Sequence, residues 1–386
     1  MHVLECRYTM LQQLVAAIGI TDIPFIGMHQ GSLIPCGVSD DLGSFFCIPW
    51  LVKTAGISLD QAILLFYGTL IGAGVLLALL GFWLLYANWV ARAVALFGVL
   101  RVAHISYELG DVYIAYSTAV LATVPLSLYL FGDTTVHKKQ YLSAFMFGII
   151  IGFCNAVRAH AGLAPLIFMG VLLASKNEWG MRNRLALVFL LGLGTVVPTA
   201  FFNYQFKRYE QSARQSIPAF LQIPDRHVFW HTVYLGFGYL SNEFGIKWDD
   251  GMGMQKALSI DPVAVYPSVR YEEVIKQETF KLVKEHFGFV LRTIFAKLGV
   301  IFFFLLWYGL PGLIAAWYFP KMLALEVAFW SALAASSLFA LIGIPYREYL
   351  LGFIALTLLY LVVSVNYALS CGVIERLRRG VLLWMR

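Results

Sequence analysis

The fold class this sequence predicts is all-α: a polytopic membrane protein with about nine to ten transmembrane helices and one large external loop. Three observations predict it. Of the 386 residues, 60% are hydrophobic and 13% charged, with a mean hydropathy of +0.75; soluble domains are closer to half apolar. Apolar runs of about 18 residues or more recur along the whole chain, the length that crosses a bilayer as a helix. Within such a run, "GTLIGAGVLLALLGFWLL" (68–85), apolar and polar residues do not alternate as they would in a membrane barrel strand.

Windows of about 19 residues predict helices over 62–87, 89–104, 112–131, 141–157, 162–175, 185–203, 295–318, 322–344 and 347–373. The region 10–28 is interrupted by Gln12, Gln13 and Asp22, and reads as a poor first span or the remnant of one. Gly72, Gly74, Gly148 and Gly152 read as helix-packing residues. Cys154 and Cys371 lie in apolar runs and read as small core residues, and Cys36 and Cys47 share one loop where they could pair in an oxidising compartment.

Charge orients the spans. The connections 132–140 ("GDTTVHKKQ") and 175–184 ("SKNEWGMRNR"), the turn at Lys321 and the tail 375–380 ("ERLRRG") are basic and fall on one side, which the positive-inside rule makes cytoplasmic. The formal charge of +6 is therefore a topological signal and does not point to nucleic acid. Three regions result: 1–203, transmembrane, with an acidic first external loop at 29–61; 204–294, an external, periplasmic loop region; and 295–386, transmembrane, with a cytoplasmic basic tail.

Alternation then puts the loop holding Asp40-Asp41 on the external side, with Glu108, Asp111, Arg158, His160, Arg347 and Glu348 at external helix ends. Charges at such depths are costly unless paired or facing a cavity, which makes them functional candidates; a solvated charge just past a helix end is the plainer reading of each alone. In the long loop, "YEEVIKQETFKLVKEHFGFVLRTIF" (271–295) spaces Val274, Phe280, Val283 and Phe287 as an amphipathic helix along the membrane surface. Trp230, His231, Tyr234, Asn242 and Asp249 belong to an aromatic- and Gly-rich stretch that is either an interfacial belt or a wall for sugar rings.

Transfer of a group from a phosphate-bearing lipid needs a carboxylate to take the acceptor's proton and cations or a metal to receive the leaving phosphate. Asp40 or Asp41 suits the first role. Arg158, His160 and Arg347 suit the second, arginine because its planar fork makes two hydrogen bonds to phosphate.

The order of "SDDLGSF" (39–45), "YELGDVY" (107–113), "NAVRAHAGLAPLIF" (155–168) and "IPYREYLLGF" (344–353) resembles the C-type glycosyltransferase superfamily (GT-C), including protein O-mannosyltransferases and the aminoarabinose transferase. The resemblance covers the whole chain as architecture. It implies a polyprenyl-phosphate-linked sugar donor, inversion at the anomeric centre, and an Asp of the first loop as base. The implied acceptor is a glycan, lipid or protein at the outer face of a bacterial inner membrane. A divalent metal ion, Mg or Mn, is optional in that superfamily; Asp40 and Asp111 would be its ligands here.

Two alternatives stand beside this reading. A lipid-linked polysaccharide polymerase or ligase would rely on Arg208, Arg214, Arg226, His227 and His231 of the long loop. A transporter would bring charges to the midplane and show two similar halves, and no internal repeat is evident.

Overall fold

The computed structural model describes residues 5–35, 41–216, 229–266 and 268–372. The chain forms helices joined by short connections, with one small hairpin near its start. In order these are α1 (Glu5–Thr21), β1 (Ile26–His29), β2 (Ser32–Pro35), α2 (Leu42–Ala55), α3 (Leu59–Leu85), α4 (Trp89–Leu109), α5 (Ile114–Leu130), α6 (Lys138–Val157), α7 (Leu163–Ala174) and α8 (Met181–Ser216). There follow α9 (Phe229–Gly236), a 3-10 turn (Phe237–Tyr239), α10 (Asp250–Ile260), α11 (Val269–Glu285), α12 (Phe287–Tyr318), α13 (Leu323–Ile342) and α14 (Leu351–Ser370).

Among the described residues seven helices are long and apolar enough to cross a membrane: α3, α4, α6, α8 over Met181–Tyr209, α12, α13 and α14. Helices α2, α5 and α7 are apolar but shorter. The protein is thus a multi-pass helical membrane protein, and each of the nine expected spans is a helix.

Local sequence explains several boundaries. Ser58 and Gln61 form a reciprocal capping box at the start of α3, and Asn88 accepts the Val90 N–H at the start of α4. Gly81 lies on the backbone of Pro125 and Leu126 in α5, and Gly148, Gly152 and Gly194 bring α6 and α8 into backbone contact, as small residues do between membrane helices. Gly74 packs on Thr118, but Gly72 faces open space and is not a packing residue.

Helix α14 is the hub. Of its apolar window 83% is buried inside the protein, against 22–44% for the other six spans. Helix α5 beside it is almost wholly buried as well. A helix apolar on every side belongs either in a core or in lipid; only packing tells which.

Five expectations change. The first loop, 29–61, holds β1, β2 and the helix α2, so Asp41 sits at a helix start and not in an extended loop. Region 10–28 is no single span: α1 ends at Thr21 and the chain turns into a hairpin whose two-residue turn, Gln30-Gly31, has positive φ at both positions, the geometry that matches strand twist. The regional boundaries near 203 and 294 cut through α8 and α12. The single amphipathic helix expected over 271–295 is two: α11 ends at Glu285 and Phe287 begins α12, and α11 buries Tyr271, Val274, Ile275, Thr279 and Leu282 while Phe280 is exposed. Cys371 is exposed, whereas Cys154 is buried in the core. Cys47 is a free thiol of α2; Cys36 and the tail 375–380 lie outside the described residues.

The region between α8 and α12 has its own apolar core of Tyr234, Leu235, Ile246, Tyr271, Ile275 and their neighbours. At the far end of the bundle the two basic connections touch, through Trp179 Nε1 donating to the Asp133 carbonyl (3.3 Å) and Tyr141 donating to Asn183 (2.9 Å). That end is opposite the one described next.

Candidate functional site

At the start of α2, Asp41 occupies the N-cap position, where an aspartate normally accepts a backbone N–H of the first turn, a contact worth about 1 kcal/mol. Asp41 makes no such bond. Its carboxylate instead accepts from Arg158 Nη1 (3.0 Å to Oδ1) and from Arg7 Nε (3.0 Å to Oδ2). The same Arg7 donates through Nη1 to Asp111 Oδ2 at 2.5 Å. Two carboxylates and two guanidinium groups therefore form one quartet of zero net charge. Their side chains are 2–14% exposed.

Each member is delivered by a specific turn. Arg158 is the extended C-cap residue of α6. Gly43 lets the start of α2 press on the end of α6: a Cβ there would lie 2.9 Å from the backbone of Ala156 and Val157. Beneath it, Tyr67 donates to Ser44 (3.2 Å) and Ser44 to the Val157 carbonyl (3.4 Å). Asp111 follows Gly110 in a turn where both have φ near +60°, a backbone region that aspartate tolerates better than most residues. Strain of this kind clusters at functional sites. The Tyr113 ring supports both cations, with Arg7 and Arg158 carbons 5.2 and 5.1 Å from its centroid.

The electrostatics are lopsided. Burial opposes the charge of Arg7, yet Asp41 and Asp111 outweigh it and hold the guanidinium above its ordinary pKa. Asp111 Oδ1, by contrast, is buried and accepts no hydrogen bond. Buried carboxylate oxygens are rarely left so.

Beside the quartet lies an apolar cavity of about 370 Å³ between α5, α7, α9, α13 and α14, lined among others by Ala164, Leu338 and Phe339, with Tyr116, His160, Thr232 and Ser336 as its polar residues. Tyr116 is the link: it lines the cavity, lies beside Arg158, and donates to the Ala159 carbonyl (3.1 Å). Lys297 of α12 donates to the terminal carbonyls of α13, Leu341 (3.0 Å) and Ile342 (3.3 Å), which fixes that wall.

The other expected residues divide. Glu108 and Arg347 pair at 3.3 Å, with His104 also on Glu108, in a half-exposed group apart from the quartet. His231 is buried in the core of the loop region, with Nδ1 sharing a hydrogen bond with the Tyr271 hydroxyl and Nε2 3.1 Å from Asp250. Trp230 packs against Phe280 with the rings tilted, Tyr234 is buried, Asn242 ties the turn 240–246, and Asp249 caps α10 through the Gly251 N–H. These five hold the loop region together. As a wall for sugar rings they do not assemble. Asp40, Arg226 and His227 lie outside the described residues, and Arg214 belongs to the last turns of α8.

Arg7 was missed. Its only signal was a lone cation in "MHVLECRYTM", and its partners are 34 and 104 residues away. Among the described residues no group of three or more His, Cys, Asp or Glu side chains could hold a metal. Asp41 and Asp111 are bridged by Arg7, so these described carboxylates do not fit a metal. No family model, no curated protein and no solved structure matches the chain.

Proposed function

We propose that this protein is an integral-membrane glycosyltransferase that moves a sugar from a polyprenyl-phosphate donor to a hydroxyl of a glycan, lipid or protein acceptor. One observation carries the reading: a buried carboxylate–arginine quartet stands one tyrosine away from an apolar cavity among membrane helices. A lipid tail is matched by the cavity, and a phosphate by His160 on its wall and Arg158 beyond Tyr116. The basic connections at the opposite end of the bundle support an external position for this site.

In this reading Asp41 is not the base. Both oxygens of Asp41 are engaged by guanidinium groups, whereas Asp111 Oδ1 is uncommitted. The acceptor hydroxyl gives its proton to Asp111 Oδ1 and its oxygen attacks the anomeric carbon. The bond from that carbon to the phosphate oxygen breaks, its electron pair leaving with the polyprenyl phosphate toward Arg158, and the centre inverts. The polymerase or ligase alternative has weaker support, because both ring nitrogens of His231 are engaged inside the loop core.

The test is sugar release from a panel of polyprenyl-phosphate sugars by protein purified into lipid, wild type beside Asp41→Asn and Asp111→Asn. Loss of turnover in Asp111→Asn with donor binding retained supports the assignment. Full turnover in both variants overturns it.

A further inference from the structure

We infer that Arg7 stands in the place a divalent metal would take between Asp41 and Asp111, so that this site works with a guanidinium bridge where a metal-dependent relative of its chemistry would use a dication. The occupancy follows from geometry; its role in the reaction rests on the transferase reading above.

The argument is one of reach and charge. A hard dication held by Asp41 and Asp111 would need their oxygens at about 2.0–2.6 Å. Those oxygens are spoken for: Oδ2 of Asp41 and Oδ2 of Asp111 both accept from one planar fork, and Oδ1 of Asp41 accepts from Arg158. The charge count agrees. Among the described side chains two arginines balance two aspartates, and adding a dication would leave an excess of two positive charges among these four, which are no more than 14% exposed, a costly arrangement. Arginine is also the cation whose fork can span two carboxylates; a lysine ammonium is a point charge without that geometry. Arg7 is thus a positioning residue. It holds Asp111 by one oxygen, leaves Oδ1 buried without a hydrogen bond, and supplies fixed positive charge beside the place where phosphate charge would develop.

Mn2+ binding tests this without a donor. The full chain, in nanodiscs of phosphatidylcholine, is titrated with Mn2+ and the free ion read by electron paramagnetic resonance, for wild type, Arg7→Ala, Arg7→Lys and Asp111→Asn. Wild type is expected to hold no stoichiometric Mn2+. Arg7→Ala, with two aspartates facing one arginine, is expected to bind one Mn2+ at least about tenfold more tightly than wild type. Arg7→Lys should fall between them, and stands in where Arg7→Ala does not fold. A wild-type site for one Mn2+ that disappears in Asp111→Asn would overturn the inference, and so would Arg7 variants that bind no better than wild type.

Donor turnover is measured in parallel with and without chelator. Turnover unchanged by chelator is expected, and turnover abolished by it would overturn the inference. Absence of turnover with every donor would weigh against the transferase reading, while the Mn2+ titration would still decide the question of Arg7.

Discussion

Two buried ionic networks sit at opposite ends of this bundle, and they differ in how fully they are satisfied. At the basic end Lys321 donates to Ser364 (2.7 Å), pairs with Glu326 at 2.5 Å and lies 4.3 Å from the Tyr360 ring. Glu326 in turn accepts from Tyr360 (3.0 Å) and Trp330 (3.2 Å). Every charged atom there has a partner, and the network ties the α12–α13 turn to α14. At the other end the Arg7–Asp41–Asp111–Arg158 quartet gives up a helix cap, holds Asp111 at positive φ and leaves one carboxylate oxygen without a hydrogen bond. A saturated network behaves as a clamp. An unsaturated one, kept at a cost in backbone and desolvation, has capacity left for a substrate.

The largest expected effect separates the two ends outright. Asp111→Asn should lower sugar transfer by about 10²–10⁴-fold, the usual contribution of a general base, while thermal unfolding in detergent stays cooperative. Equal turnover in that variant would make the two networks alike. Lys321→Met should do the reverse: leaving Glu326 without its cation costs about 3 kcal/mol, read as earlier unfolding in a denaturant series, with turnover per folded molecule unchanged.

A smaller effect sharpens the comparison. Gly43→Ala would push the start of α2 off the end of α6, cost about 1–3 kcal/mol as an overpacked contact does, and lower turnover by separating Asp41 from Arg158. Turnover falling in step with the fraction folded alone would argue that the Asp41–Arg158 distance is unimportant. The smallest effect belongs to the half-exposed pair of Arg347 with Glu108. Arg347→Ala should change stability by less than about 1 kcal/mol, because exposed pairs contribute little; a loss as large as that of Lys321→Met would show the pair to be part of a buried network.

Much of the bundle was legible from sequence because a bilayer imposes a one-dimensional rule. A helix must be apolar for its full length to cross, so α3, α4, α6, α8, α12, α13 and α14 announce themselves. Helix α2 escaped because its 14 residues include Pro49 and Lys53 and are too few to span. The hairpin escaped because a two-residue turn at Gln30-Gly31 lacks the usual Asn-Gly or Asp-Gly signature. Of the site, Asp111 and Arg158 were visible as charges at helix ends and Asp41 as a carboxylate of an external loop on the same side. His231 and Trp230 were chosen for composition alone, and the fold turned them inward to pack against α11.

The sequence by itself determined that the chain is a multi-pass helical membrane protein and which of its charges lie near helix ends, because hydropathy and helix length are properties of contiguous residues. Only the tertiary structure decided that α14 is the hub, that Arg7 bridges Asp41 and Asp111, and that Asp111 Oδ1 stays open. The physical reason is separation along the chain. Arg7 and Asp111 are 104 residues apart, Asp41 and Arg158 117, and whether such charges meet depends on the packing of α1, α2, α5 and α6, which no local pattern encodes.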